Sequence, residues 1–159
     1  MQLRRTNAGR GVRGGFSQES RQAIAGLRKL FWRLQFLVQD ALLEILRTRG
    51  PDGGRLTQVL VFVNAKIECR RLARQLQKAG VNADAIHGDK TQAEREAALE
   101  AFKTGKTTVL VATDVASRGL DIESLPQVIN FDIPHSPEDY VHRIGRTGRA
   151  GLTGEAISL

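Results

Sequence analysis

The sequence predicts an α/β fold: an open, mainly parallel sheet with helices on both faces. Two observations support this prediction. Short runs of Val, Ile and Leu recur along residues 59–159, and they are continuous rather than alternating, which is typical of strands covered on both faces. Segments with helical spacing of apolar residues lie between these runs, and such alternation predicts parallel connections. In this fold, functional side chains gather at the carboxyl ends of the strands.

The elements of the domain follow in order from this pattern. We expect strands at 59–63, 83–86, 107–112, 128–131 and 155–159, and helices at 65–79, at 91–103, near Asp114 and from Pro137. Two helix starts are marked by capping residues. Thr91 and Glu94 have the spacing of a capping box, and Ser136 places a hydroxyl before a proline at the first helical position.

The first fifty residues have a different character. Residues 1–16 contain four arginines, four glycines and no acid, so we expect a basic flexible tail that either touches RNA phosphates or only aids solubility. In residues 17–50, apolar residues recur at helical spacing up to Gly50-Pro51, which predicts an amphipathic helical segment; residues 35–39 could instead form a short strand. Its apolar face, with Trp32 and Phe36, predicts either packing on the domain at 51–159 or a homodimer through residues 20–46.

Composition limits the class of protein. A chain of 159 residues with 41% hydrophobic content supports one core. The net charge of +7 resides in residues 1–49, with ten Lys/Arg against three Asp/Glu, so residues 50–159 hold fourteen of each and an anion site there must come from local placement. The single cysteine, Cys69, excludes an internal disulfide and predicts a small core residue in a reducing compartment. With no long apolar stretch or secretory signal, we expect a cytoplasmic protein without a membrane partner.

Polar clusters follow three of the predicted strands. They are His87-Gly88-Asp89, Thr113-Asp114 and Asn130-Phe131-Asp132. Each cluster alone is explained equally well by capping and turn residues. Together, at three carboxyl ends of one sheet, they predict a functional edge.

Residues 142–149, His-Arg-Ile-Gly-Arg-Thr-Gly-Arg, carry the most specific signal in the chain. Arg143, Arg146 and Arg149 recur at spacing three and project from nearly one side of a helix-to-loop transition, and the guanidinium fork suits polyphosphate. Gly145 and Gly148 let a phosphate approach the backbone. The octet therefore predicts a phosphate clamp, although a solvated basic helix end has the same composition.

Other nucleotide-binding signals are ambiguous or absent. Gly105-Lys106-Thr107 resembles the end of a Walker A loop, but position 100 is Glu100 where that loop needs glycine, and a strand follows where a helix is required. Asp121 could bind a ribose or pair with Arg118. Arg95 could reach a phosphate or pair with acids on its own helix.

Taken in order, these segments resemble the second RecA-like domain of DEAD-box ATP-dependent RNA helicases, particularly bacterial ones. Residues 55–159 carry the resemblance: 61–64 resemble motif IV, 87–89 with Arg95 the intervening RNA-contacting segment, 112–121 motif V, and 142–149 motif VI. Departures are visible at Ala65, where the family commonly has threonine or serine, and in the first fifty residues. The sequence contains neither the Walker A loop nor the DEAD box of the family's first domain.

The resemblance implies roles at the nucleotide. Arg146 and Arg149 would be arginine fingers reaching ATP across an interdomain cleft, and His142 would couple to the acidic motif of the N-terminal RecA-like domain. Asp121, near the backbone of Gly119, would bind the ribose. ATP and Mg²⁺ would be held mainly by that other domain, and no metal site is expected on this chain.

The resemblance also implies contacts with RNA. Thr113, Gly88, Arg95 and Asn64 would hold the RNA backbone, with little sequence preference. Arg143 and Arg118 would orient the site. The expected function is the C-terminal half of an ATP-dependent RNA helicase, which completes an ATP site without forming one alone. The alternative is a stand-alone, non-enzymatic RNA-binding or interaction module.

Overall fold

The architecture is a five-stranded parallel sheet with helices on both faces. The computed structural model describes residues 17–48, 57–122, 124–148 and 154–159. Among these, the helices are α1 (Gln18–Thr48), α2 (Lys66–Lys78), α3 (Gln92–Lys103), α4 (Asp114–Ser117) and α5 (Pro137–Ile144), and the strands are β1 (Val59–Phe62), β2 (Ala83–Ile86), β3 (Val109–Ala112), β4 (Gln127–Asn130) and β5 (Glu155–Ser158). The strand order is β2-β3-β1-β4-β5, with every pair parallel, so the predicted fold class is confirmed.

Each central strand contributes to two cores because alternate side chains face opposite sides of the sheet. From β1, Val59 and Val61 join a cluster with the buried face of α2. Leu60 and Phe62 join a second cluster that contains Phe102 of α3 on the other side. Both faces are therefore covered by helices, which explains why the strand sequences are continuously apolar.

Helix α1 runs without interruption from Gln18 to Thr48, so residues 35–39 are helical and the alternative of a short strand there is wrong. The chain divides into two compact units, Met1–Phe36 and Leu37–Leu159. In the second unit, Leu42 is buried in the first core cluster, with four neighbouring α1 side chains packed against it: Val38, Leu43, Ile45 and Leu46. In the first unit, the described apolar side chains are exposed.

Several expectations fall on parts that the structure does not describe. The tail at 1–16, the side chain of Trp32 and the whole of Arg149 lie outside the described residues. The domain limits at 16 and 50 stay predictions. None of the described helices, α1 included, combines the length and apolarity needed to cross a bilayer.

The predicted capping residues fix the starts of two helices beside the sheet. Thr91 Oγ1 accepts from the Glu94 backbone N–H at 3.3 Å, and the Thr91 N–H donates to Glu94 Oε2 at 2.8 Å, which completes the capping box. The hydrogen bonds that the Thr91 N–H and then its hydroxyl donate to the Glu94 carboxylate hold the pKa of Glu94 below its usual value. At α5, Ser136 Oγ accepts from the Asp139 N–H at 3.1 Å and Pro137 opens the helix. Both predicted caps are confirmed.

Cys69 is a core residue of α2, as the sequence predicted. Its side chain is fully buried, and Sγ lies 3.2 Å from the carbonyl oxygen of Val111. Burial raises the pKa of the Cys69 thiol to about 12 because the thiolate would lose its hydration. The residue therefore acts as a small apolar side chain whose thiol has two weak acceptors, the carbonyls of Val111 and Ile86.

Candidate functional site

The carboxyl ends of the parallel strands meet at one edge of the sheet. The register places Phe62 of β1 level with Ala112 of β3 and Asn130 of β4, and Ile86 of β2 level with Ala112. The polar clusters that begin at residues 87, 113 and 130 therefore lie along a single edge, and Asn64 joins them after β1. The predicted placement of these clusters at one edge is confirmed, and the function of that edge stays a prediction.

Arg143 links three of these strand ends to α5. Its side chain is only 1% exposed, and Nε and Nη2 donate to the two carboxylate oxygens of Asp114 at 2.7 Å each. Nη1 donates to the Asp132 carbonyl at 2.6 Å, and Nη2 to Asn64 Oδ1 at 2.8 Å. The guanidinium also lies 5.1 Å from the centre of the Phe62 ring. Arg143 thus holds the edge together from inside and is not exposed for a ligand.

A pocket of about 380 Å³ opens between the residues of α4 and α5. Its volume falls within the range of small-ligand sites. Three predicted site residues, His142, Arg146 and Gly119, line it together with Arg118. Two carboxylates, Asp114 and Asp139, also line the pocket, but they are paired with Arg143 and Arg118. The uncompensated charge among the described lining residues is that of Arg146, with His142 exposed beside it, so the pocket suits an anion such as phosphate.

Arg146 is half-buried and points to the edge that carries Asp121. Its Nη1 donates to the carbonyl of Leu120 at 3.1 Å and to that of Ile122 at 3.3 Å, the residues on either side of Asp121. The backbone turns sharply just before, at Gly119, whose φ of 77° favours glycine. Among the described residues, the Nε and Nη2 atoms of Arg146 have no hydrogen-bond partner, so part of the fork is available to an anion.

The carboxylates of this region are paired differently from one of the expectations. Arg118 donates to Asp139 Oδ1 at 2.8 Å, and Asp121 accepts from Lys103 Nζ at 2.9 Å, so the Arg118–Asp121 pairing is wrong. The Ser136 hydroxyl, aided by Arg118, lowers the pKa of Asp139. The Lys103 hydrogen bond lowers the pKa of Asp121, whose side chain is 91% exposed. Asp121 is therefore an ionised carboxylate accessible to a ligand.

The residues predicted to contact RNA differ in solvent exposure and in how far their polar atoms are already hydrogen-bonded within the chain. Gly88 is exposed, and a side-chain carbon built on it would meet no atom within 4 Å. Thr113 is buried, with 8% of its surface exposed. Asn64 uses both side-chain polar atoms internally, accepting from Arg143 and donating to the Ile133 carbonyl at 2.9 Å. Asn64 therefore braces the edge, and its RNA contact stays a prediction.

Arg95 extends from α3 toward α4. Its Nη2 donates to the Ala116 carbonyl at 2.9 Å, and its buried Nε has no partner among the described residues. No carboxylate lies within ion-pair distance of it in the same set, so the alternative of a pair with acids on its own helix is not observed. The side chain steadies α4 next to Thr113.

Sequence reasoning did not single out Lys103 or Asp139. Both sit on helices, one in the last turn of α3 and the other in the first turn of α5, where charges of these signs are ordinary. Nothing in their spacing predicts the partners 18 and 21 residues away. Within the residues that the structure describes, His, Cys, Asp and Glu form no group of three that could hold a metal ion.

Comparison with known proteins points to one family. The family described as "Helicase conserved C-terminal domain" matches residues 38–151. The chain is 50% identical over 125 residues to the ATP-dependent RNA helicase DBP2 of Meyerozyma guilliermondii, which covers 79% of this chain and 22% of that protein. It is 52% identical over 116 residues to DEAD-box ATP-dependent RNA helicase 46 of Arabidopsis thaliana, covering 73% of this chain and 17% of that one. The chain thus spans about a fifth of the length of these curated relatives.

Solved structures similar to this chain include DEAD-box proteins, in agreement with the sequence comparisons. The DEAD-box protein SrmB of E. coli superposes with a TM-score of 0.72 at 40% identity, over 79% of this chain and 71% of that one. The C-terminal domain of the DEAD-box protein Dbp5 superposes with a TM-score of 0.66 at 33% identity, over 76% of this chain and 68% of that one.

Proposed function

The chain belongs to the helicase conserved C-terminal domain family, in the form found in DEAD-box proteins, and from this premise we propose that it completes the ATP site of an RNA helicase and binds the RNA backbone. Family membership alone does not assign this activity to the chain, because the chain spans only about a fifth of the length of its helicase relatives. The activity and the RNA contact are therefore proposals. One observation carries it: Arg146 and His142 line a pocket that opens beside the accessible carboxylate of Asp121.

At the nucleotide, residues of this chain would bind the negatively charged phosphates and the ribose of ATP and so orient the molecule. When bound, ATP supplies the phosphoryl group to be cleaved, and the pocket's chemistry fits its phosphates. Arg146, and Arg149 beyond it, would compensate negative charge on the phosphates. Asp121 would accept hydrogen bonds from the ribose hydroxyls, and His142 would face the acidic motif of the neighbouring domain.

The edge of the sheet would hold RNA through phosphates. Gly88 offers unobstructed backbone, and the half-buried Arg95 reaches the backbone of α4, the helix that Thr113 precedes. Such contacts position a strand without reading its bases, so we expect little sequence preference. The internally paired Asn64 would support this edge from behind.

The partners follow from the same proposal. We propose that an N-terminal RecA-like domain binds ATP with Mg²⁺ and faces the pocket of this chain. The bacterial form of the family also stays a proposal, because relatives near 50% identity come from a yeast and a plant, whereas the E. coli protein matches at 40%. The homodimer through residues 20–46 and the cytoplasmic location likewise remain predictions from the sequence.

The decisive experiment supplies an N-terminal RecA-like domain in trans. The N-terminal RecA-like domain of a related helicase, mixed with this chain, ATP, Mg²⁺ and single-stranded RNA, should show RNA-stimulated phosphate release. Arg146→Ala should reduce that release by up to the roughly 10³ to 10⁵ that arginine fingers contribute. Lys106→Gln, which removes an exposed charge from the turn after α3, is the control and should have no effect.

Two outcomes would contradict the proposal. The first is full phosphate release by the Arg146→Ala and Arg149→Ala variants. The second is RNA binding by this chain with no phosphate release in any domain mixture, which would favour the stand-alone RNA-binding module.

A further inference from the structure

The outward side of α2 carries an open basic groove that lies outside the pocket described above. It is lined by Ile67, Arg70, Arg71, Arg74, Gln75 and Lys78. Helix α2 holds five of the fourteen Lys and Arg of residues 50–159 and only one acid, Glu68. Residues 50–159 are neutral as a whole, whereas α2 carries five cations against one acid, a net charge of +4, and such a local excess of charge attracts a polyanion.

The cations of the basic groove are not equally compensated. Arg71 pairs with Glu68 at 2.8 Å, and Arg70 lies 3.8 Å from Asp89. Arg74 and Lys78 are exposed and have no carboxylate within ion-pair distance among the described residues. The opposite side of α2 is anchored in the core, so these side chains are held at the surface on a rigid element.

The basic groove lies next to the edge proposed to hold RNA, since Arg70 of the groove is 3.8 Å from Asp89. Helix α2 begins just after β1 ends, and Lys66 Nζ binds Asp89 Oδ1 at 2.8 Å, directly next to Gly88. From there, cations recur every four residues at Arg70, Arg74 and Lys78, which is about 6 Å per step along a helix roughly 20 Å long. They form a row that leads away from the edge.

We propose that the basic groove binds the phosphates of the RNA strand where it continues past the sheet edge. This proposal rests on the proposed function, since it extends the same strand. Arg74 and Lys78 would each neutralise a phosphate, and the 67% exposed side chain of Ile67 would contact ribose or a base face. The groove would thus add affinity for longer RNA without adding sequence preference.

The test compares two RNAs and a matched pair of lysine variants. One oligonucleotide spans only the sheet edge, and the other is longer by at least ~20 Å of backbone, the length of α2. Lys78→Gln should weaken binding of the longer RNA several-fold, whereas Lys106→Gln, which removes the same charge from the turn after α3, should not. The double variant R74Q/K78Q should lower the slope of log affinity against log salt by about 1.4, since each single-strand phosphate contact contributes about 0.7.

The controls separate this proposal from the function beneath it. Binding of the short RNA should be unchanged in R74Q/K78Q but reduced in Arg95→Ala, and circular dichroism should show that all variants are folded. Equal affinity of R74Q/K78Q and the unmodified chain for the longer RNA would contradict RNA binding by the basic groove. It would not contradict RNA binding by the sheet edge. Loss of binding to phosphatidylserine vesicles without loss of RNA binding would reassign the groove to a membrane surface. If the unmodified chain binds neither RNA, the proposed function itself fails.

Discussion

Two ion pairs of nearly equal length hold the two ends of the site, and they differ in almost everything else. Arg143 and Asp114 are 2.7 Å apart, with side chains 1% and 25% exposed. Lys103 and Asp121 are 2.9 Å apart, with side chains 40% and 91% exposed. The first pair is desolvated and multiply hydrogen-bonded, whereas the second is solvated and can be exchanged for a ligand. Burial, and not distance, therefore separates the framework of the site from its binding groups.

The strongest test of this difference removes the buried cation. Arg143→Ala leaves Asp114 and three amide or carbonyl oxygens without their donor in a nearly closed space, so we expect about 3–5 kcal/mol loss in the free energy of unfolding. Urea denaturation followed by circular dichroism measures it. Arg143→Lys keeps the charge but loses the two-pronged bond, and should recover only part of the loss. A change below about 1 kcal/mol would contradict the framework role.

A smaller effect is expected when the carboxylate of the same pair is neutralised. Asp114→Asn keeps the shape and one acceptor, while the other contacts of Arg143, to Asn64 and Asp132, remain. We expect a loss of about 1–3 kcal/mol, less than for Arg143→Ala. The same denaturation assay ranks the two variants. The reverse order would mean that the carboxylate, and not the guanidinium, organises the edge.

The exposed pair should contribute almost nothing to folding. Lys103→Met should leave the denaturation midpoint unchanged within error, because both partners are well hydrated. The same variant should alter nucleotide binding in the two-domain mixture, since it changes the surroundings of Asp121. Asp121→Asn removes the charge of the other partner of the pair. It should also leave the denaturation midpoint unchanged, and it should weaken ATP binding in the two-domain mixture. A clear loss of stability in either variant would remove the contrast between the two pairs.

The smallest expected effect concerns His87, which lies at the carboxyl edge of the sheet and forms no ion pair with any residue that the structure describes. Burial, with Arg70 nearby, lowers the pKa of His87 below its usual 6.5. The unfolded chain therefore binds this proton first, so the stability that His87 contributes is present above pH 6.5 and falls as pH drops through its folded pKa. NMR titration of the imidazole should give a midpoint below 6.5. A midpoint above that value would show that Asp89 dominates over burial.

The local features of the fold were predictable, and the long-range pairings were not. Continuous apolar runs predicted the strands. The helix caps at Thr91 and Ser136 were predicted from residues close to them in the sequence. The expected Arg118–Asp121 pair failed because Arg118 is extended and Gly119 has a positive φ, which turns Asp121 toward Lys103. A helix would have kept them on one face.

The sequence predicted which residues belong to the candidate site better than it predicted how they contact one another. Motif positions alone implied an orienting role for Arg143, and the structure shows it buried, a place where arginine is rarely found unless paired. Its four acceptor residues come from three separate segments of the chain, so no local spacing could identify them. Likewise, the row of cations on α2 becomes informative only once its first turn is seen beside Gly88.

The seclusion of the single cysteine has a practical consequence. Because the Cys69 thiol is closed off by the sheet and almost entirely protonated at neutral pH, thiol-reactive dyes should not label the native chain. A second cysteine introduced at an exposed position would then carry a fluorophore alone, without first removing the native one. Paired with a dye on the proposed N-terminal RecA-like domain, it would report the approach of that domain by energy transfer. Slow labelling of Cys69 itself would measure the rate of spontaneous opening of the core.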